Sequence, residues 1–165
     1  MLLDLRQTPR SRRAYLVSVF KHILIPTDGS ATADKAVAAG IEYAREAGAR
    51  VTLFTVLPDY RTARARSPES QPPFSTEEYV RRCERKASQV LRSALERAQA
   101  AGVECETDYA QDDEPYRAIV NAAEGHECDA IFMASHVRSW LGRLWHRSET
   151  QGVLAGSRVP TMVYR

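Results

Sequence analysis

The stretch Lys21-His22-Ile23-Leu24-Ile25-Pro26-Thr27-Asp28-Gly29-Ser30 decides the fold. Its apolar centre has no polar alternation, the mark of a strand buried on both faces, as in a parallel sheet. Pro26 ends the run, and Thr27-Asp28-Gly29-Ser30 is turn chemistry. Ser30 is placed to cap a following helix. From Ala31 to Ala47 the residues Ala33, Val37, Ile41 and Ala44 recur at helical spacing, and Gly48 supplies the stop.

Working outward, the same alternation repeats. Val51-Thr52-Leu53-Phe54-Thr55-Val56, rich in β-branched and aromatic residues, reads as the second strand. Residues 58–75 carry Pro58, Pro68, Pro72 and Pro73 among arginines and serines, and are expected to form a long mobile loop. A helix follows from Thr76, its expected cap, to about Ala101, with Tyr79, Cys83, Ala87, Val90, Leu91, Ala94, Leu95 and Ala98 as its inner stripe. Val103 to Ala110 alternates apolar and polar residues, as a sheet-edge strand with one wetter face does. Pro115 opens a short helix that Gly125 ends, and Asp129–Ala134 is a further buried strand. A helical segment from roughly Leu144 to Ala155 and a strand at Val159–Tyr164 complete the series. Residues 1–19 read as a flexible extension and 20–165 as one domain.

Strand and helix in strict succession call for an α/β fold: a parallel sheet with right-handed crossovers and helices on both faces. Ligands of such sheets lie beyond the carboxyl ends of the strands, which here directs attention to Thr27–Ser30, Val56–Asp59, Tyr109–Glu114 and Met133–Arg138.

The bulk composition narrows the function classes. A chain of 165 residues with 44% hydrophobic and 27% charged residues has the balance of one globular domain, not of a disordered chain. The formal charge of +2 is too small to imply a nucleic-acid partner. No run approaches the ~20 apolar residues of a membrane helix. Ala14–Phe20 is short and lacks a signal-peptide cleavage region, so a cytoplasmic protein with no membrane partner is expected. Cys83, Cys105 and Cys128 are odd in number and widely spaced, which suits reduced thiols better than a zinc site or disulfides. The glycine-rich, zinc-binding and nucleophile-elbow motifs of the common enzyme classes are absent. Adjacent Ser135 and His136 point to opposite faces of a strand end and make no dyad. No catalytic residue, metal site or cofactor is expected from the residues themselves.

Ile23–Ser30, Val51–Val56, Ser135-His136 and the closing Val159-Pro160-Thr161-Met162-Val163-Tyr164, in that order, resemble the universal stress proteins over residues 20–165. The resemblance implies a five-stranded parallel sheet of order 3-2-1-4-5, of the adenine nucleotide α-hydrolase-like type, often dimerised along its last strand. Some members of that family bind ATP through a G-x2-G-x9-G-[ST] loop after the fourth strand. Its three glycine positions fall here on Ala134, Val137 and Arg147, while Ser148 agrees with the pattern. Thr150 and Met133 also match, as do Asp28 and Val56 on the adenosine side, and His136 lies within the same loop. Glycine in a phosphate loop permits positive φ and lets backbone N–H groups close on the anion. A β-branched Val137 disfavours that conformation, and Arg147 places a large cation at the start of the last helix, where it blocks the anion site or serves a different anion.

Several residues keep two readings. Asp28 is a ribose or metal ligand, or a cap of its own turn. Asp112, Asp113 and Glu114 hold Mg²⁺, or complement the dipole of the helix that Pro115 starts. His136, Arg138, Arg143, His146 and Arg147, with Trp140 and Trp145, form a basic partner-binding loop or a solvated one. The expected function is a homodimeric, non-catalytic stress-response module with weak or no ATP binding, paired through Met162, Val163 and Tyr164. The alternatives are an ATP-binding protein with slow hydrolysis or autophosphorylation, and an adaptor for an unknown protein partner.

Overall fold

The computed structural model describes residues 19–65, 75–135 and 147–165. Strand β1 (His22–Pro26) is buried along its whole length, and Ile23, Leu24 and Ile25 are fully enclosed. Helix α1 (Ala31–Ala47) follows, started by Ser30, whose hydroxyl accepts the Ala33 N–H at 3.2 Å, and closed by Gly48. Then come β2 (Arg50–Leu57), α2 (Tyr60–Ala65), α3 (Thr76–Ala100) and β3 (Cys105–Gln111). The chain finishes with α4 (Pro115–Gly125), β4 (Ala130–Ala134), α5 (Arg147–Gly156) and β5 (Thr161–Tyr164).

The strands form one parallel sheet of order β3-β2-β1-β4-β5, the order that the resemblance implied. Alternate residues of the inner strands face opposite ways, which builds two cores. Ile23, Ile25, Val51, Leu53 and Phe132 meet Val37 and Ile41 of α1 and Leu91 and Ala94 of α3. Leu24, Phe54, Val56, Ile131 and Met133 meet Ala118 and Ile119 of α4 and Val153 of α5. Burying a side chain of this size contributes about 1.5–3 kcal/mol. The inner strands are therefore mostly apolar, with only His22, Thr52 and Thr55 as buried polar residues among them.

Three local expectations change. The segment after β2 is not patternless: Asp59 Oδ1 accepts the Thr62 N–H at 2.8 Å and starts the six-residue helix α2. The cap of α3 is Ser75 rather than Thr76, its hydroxyl accepting the Glu78 N–H at 3.2 Å. β3 begins at Cys105, because the Val103 N–H is turned back to the Ala98 carbonyl at 3.0 Å and Val103 closes the α3 turn. The remainder of the expected loop (66–74) and most of the expected extension (1–18) lie outside the described residues.

Candidate functional site

The chain runs from β1 to β2 and β3 on one side of the sheet, then returns to β4 and β5 on the other. The strand order thus reverses between β1 and β4, the position where sheets of this kind hold ligands. β1 and β4 pair only at Ile23↔Ala130 and Leu24↔Ile131, while β1 and β2 stay in register from His22↔Arg50 to Pro26↔Phe54. The Thr27 N–H bonds to the Phe54 carbonyl at 2.8 Å, so the end of β1 leans to β2. The Ser135 N–H bonds to the Tyr164 carbonyl at 2.7 Å, so the end of β4 leans to β5. The gap between these two diverging strand ends is the crevice position of such sheets.

The first wall of the crevice is the β1–α1 turn. Gly29 has φ +75°, a conformation costly for any other residue, and a Cβ added there would stand 3.4 Å from Val90 Cγ1 of α3. Asp28 Oδ1 accepts the Ser30 N–H at 2.9 Å and Thr27 Oγ1 accepts the Gly29 N–H at 3.2 Å, which fixes the turn before the helix begins. Val56 and Met133, near the ends of β2 and β4, are both buried in the core on the α4 side.

The opposite wall is the amino end of α5, tied to α4. Glu149, only 9% exposed, sits in the first turn of α5 and accepts the Tyr116 N–H at 2.8 Å. Glu114, the residue before α4, makes no side-chain cap, so the carboxylate of Glu149 caps α4 from a neighbouring helix. An anion at a helix start is stabilised by the exposed N–H groups and the dipole there, which is how a carboxylate is held in so enclosed a place. One turn later Gly152 lies against the Tyr116 ring so closely that a Cβ would stand 2.6 Å from Cγ. The two helices are interlocked behind the crevice.

Comparison with known proteins fits this arrangement. A family model described as "Universal stress protein family" matches residues 20–165. A Thermus aquaticus protein, "Universal stress protein in QAH/OAS sulfhydrylase 3'region", is 31% identical over 150 residues, 89% of this chain and 100% of its own. The chain belongs to the universal stress protein family. Among solved structures, hypothetical protein MJ0577 superposes with a TM-score of 0.67 at 23% identity, over 87% of this chain and 94% of its own. A universal stress protein from Archaeoglobus fulgidus in complex with dAMP gives 0.61 at 19% identity, over 89% and 99%. At such identities these two structures speak for the fold alone.

In this universal stress protein, Asp28 follows β1, Val56 lies near the end of β2, Met133 and Ala134 end β4, and Thr150 lies in the first turn of α5. Ala134 is a regular strand residue whose side chain packs into the α1-side core, without positive φ. Arg147 and Ser148 open α5. His136 and Val137, with the other residues of the basic tryptophan loop up to His146, lie outside the described residues. Met162 and Tyr164 pack partly against the α1-side core, with Val163 facing the other way, on a strand paired only to β4 among the described residues.

The acidic run after β3 is spent on structure. Asp113 accepts the Asp59 N–H at 3.3 Å and the Thr62 hydroxyl at 2.6 Å, pinning α2 to β3. Asp112 accepts the Glu114 N–H at 2.8 Å, and Arg117 pairs with Glu114 at 2.6 Å. Among the described residues no group of three or more His, Cys, Asp or Glu is arranged to hold a metal ion. Nor is any described helix long and apolar enough to cross a membrane. Burial raises the Cys83 thiol above its usual range and pushes Cys105 and Cys128 each to about 11, so all three remain neutral thiols. Burial also raises the Tyr79 phenol, whose hydroxyl donates to the Pro58 carbonyl at 2.6 Å and holds α3 to the end of β2.

Sequence reasoning passed over Glu149, because an acid in a first helical turn is ordinary and its partner is 33 residues away. The available signal was the want of a capping side chain before Pro115.

Proposed function

We propose that this universal stress protein acts as a homodimeric, non-catalytic binding module whose ATP affinity is weaker than micromolar. The observation that carries the reading is the occupation of the three phosphate-loop glycine positions by Ala134, Val137 and Arg147. Support comes from Glu149, whose buried carboxylate already takes a backbone N–H at the rear wall and adds negative charge on the side a polyphosphate would approach. The β5 edge, half-buried at Met162, Val163 and Tyr164, pairs only with β4 among the described residues, and a second copy would complete it by antiparallel pairing about a two-fold axis.

A second reading is an ATP-binding protein with slow hydrolysis or autophosphorylation. It is favoured by retention of Asp28, Val56 and Met133 on the adenosine side, and by the dAMP held in the Archaeoglobus fulgidus structure. Endogenous nucleotide carried through purification separates the two. The first reading expects no nucleotide by absorbance ratio and mass spectrometry; stoichiometric ATP or ADP would establish the second.

A further inference from the structure

At the opposite end of the sheet from the crevice, five polar side chains form one continuous chain across four elements. His22 of β1 is 3% exposed. Its Nε2 lies 2.7 Å from Thr52 Oγ1 of β2, and the Thr52 hydroxyl donates to Glu106 Oε1 of β3 at 2.8 Å. The same Glu106 oxygen is 3.2 Å from His126 Nδ1, and His126 Nε2 is 2.9 Å from Asp108 Oδ2. His126 is the residue that closes α4. Because the Thr52 proton is committed to Glu106, its oxygen accepts from His22, which fixes His22 as the neutral Nε2–H tautomer. His22 Nδ1 is then a buried lone pair, with no hydrogen-bond partner among the described residues.

We propose that His22 is an acid-sensitive lock: neutral, it ties the amino ends of β1 and β2 and, through Thr52 and Glu106, β3, and on taking a proton at Nδ1 it loosens them. A proton added there has no acceptor, and the resulting imidazolium is enclosed. The charged groups around it come from each packed element. Arg50 of β2 repels the added charge, as does His126 at the end of α4 when charged. Glu106 of β3, 3.8 Å from Nε2, attracts it, as does Asp129 before β4, whose carboxylate accepts the His22 and Lys21 N–H groups. Cys128, beside the same cluster, is a neutral thiol. Burial and then Arg50 prevail, holding the His22 pKa below the ordinary histidine value. The sign follows: a depressed histidine pKa gives stability that is present above the unfolded-state value of about 6.5 and is lost as pH falls below it.

The test is urea denaturation of the full chain between about pH 7.5 and 5.5, with amide exchange followed in β1, β2 and β3. One such group raises the unfolding constant by up to about tenfold per pH unit below its unfolded pKa. His22→Gln keeps an Nε2–H donor for Thr52 but cannot be protonated, and is expected to lose that part of the slope. His126→Gln serves as the comparison. Equal slopes in wild type and His22→Gln, or flattening in His126→Gln alone, would overturn the proposal. Should His22→Gln fail to fold, ring ¹⁵N signals of the wild type decide: a neutral Nε2–H His22 at about pH 6 is expected, and an imidazolium there in the folded protein contradicts the lock.

Discussion

Replacing Gly152 with alanine sets two effects of known size against each other. In a helix interior, alanine is favoured over glycine by about 0.8–1.0 kcal/mol, so an open position would gain stability. Gly152 is not open: the added Cβ would stand 2.6 Å from Tyr116 Cγ and 2.8 Å from both its Cβ and Cδ2. Carbon atoms rest at about 3.5–4.0 Å, so roughly an ångström of overlap must be relieved. Tyr116 cannot simply rotate away, because the clash includes its Cβ and its N–H is held by Glu149 at 2.8 Å. Overpacking of this kind costs about 1–3 kcal/mol, which exceeds the propensity gain in most of its range. We expect Gly152→Ala to lose up to about 2 kcal/mol net in urea denaturation, and the thermal midpoint to fall by up to roughly 8 °C for a domain of this size. Adding Tyr116→Gly removes all three obstructing atoms, so the two changes should couple favourably by about 1 kcal/mol or more in a double-mutant cycle. A midpoint raised by Gly152→Ala alone would refute the close α4–α5 joint.

Other expectations follow from the same geometry. Glu149→Ala should cost about 1–2 kcal/mol by stripping the cap from α4, and Glu149→Gln, which keeps an acceptor, should cost less; equal losses in urea would contradict capping. Val163→Asp should leave the monomer folded while light scattering falls toward the mass of one chain; an unchanged dimer at low micromolar concentration would place the interface elsewhere. With thiol pKa values of about 11, Cys105 and Cys128 should react with alkylating reagents at neutral pH far more slowly in the folded protein than in urea, and rapid folded-state labelling of either would contradict its environment.

The inner strands were legible because burial on both faces leaves one solution for residues such as Ile23, Leu24 and Ile25. β3 was legible for a different reason: its wetter face carries Glu106 and Asp108, which no helix covers completely and which bond to His126 instead. α2 escaped notice because Pro58 and three further prolines dominate that stretch, although Asp59 three residues before Thr62 is a capping signal. The expected crevice position rests on strand order alone. What sequence could not supply were partnerships distant along the chain, as between Glu149 and Tyr116 or between His22 and Glu106, because neither residue carries a local mark of its partner.

The central claim is that the family's crevice is present here while its phosphate half has been altered. Calorimetric titration with ATP, with and without Mg²⁺, tests it most directly, using wild type beside the Val137→Gly/Arg147→Gly double variant. The account predicts a dissociation constant above the micromolar range for wild type and tighter binding in the variant. A sub-micromolar constant for the wild-type protein would contradict it.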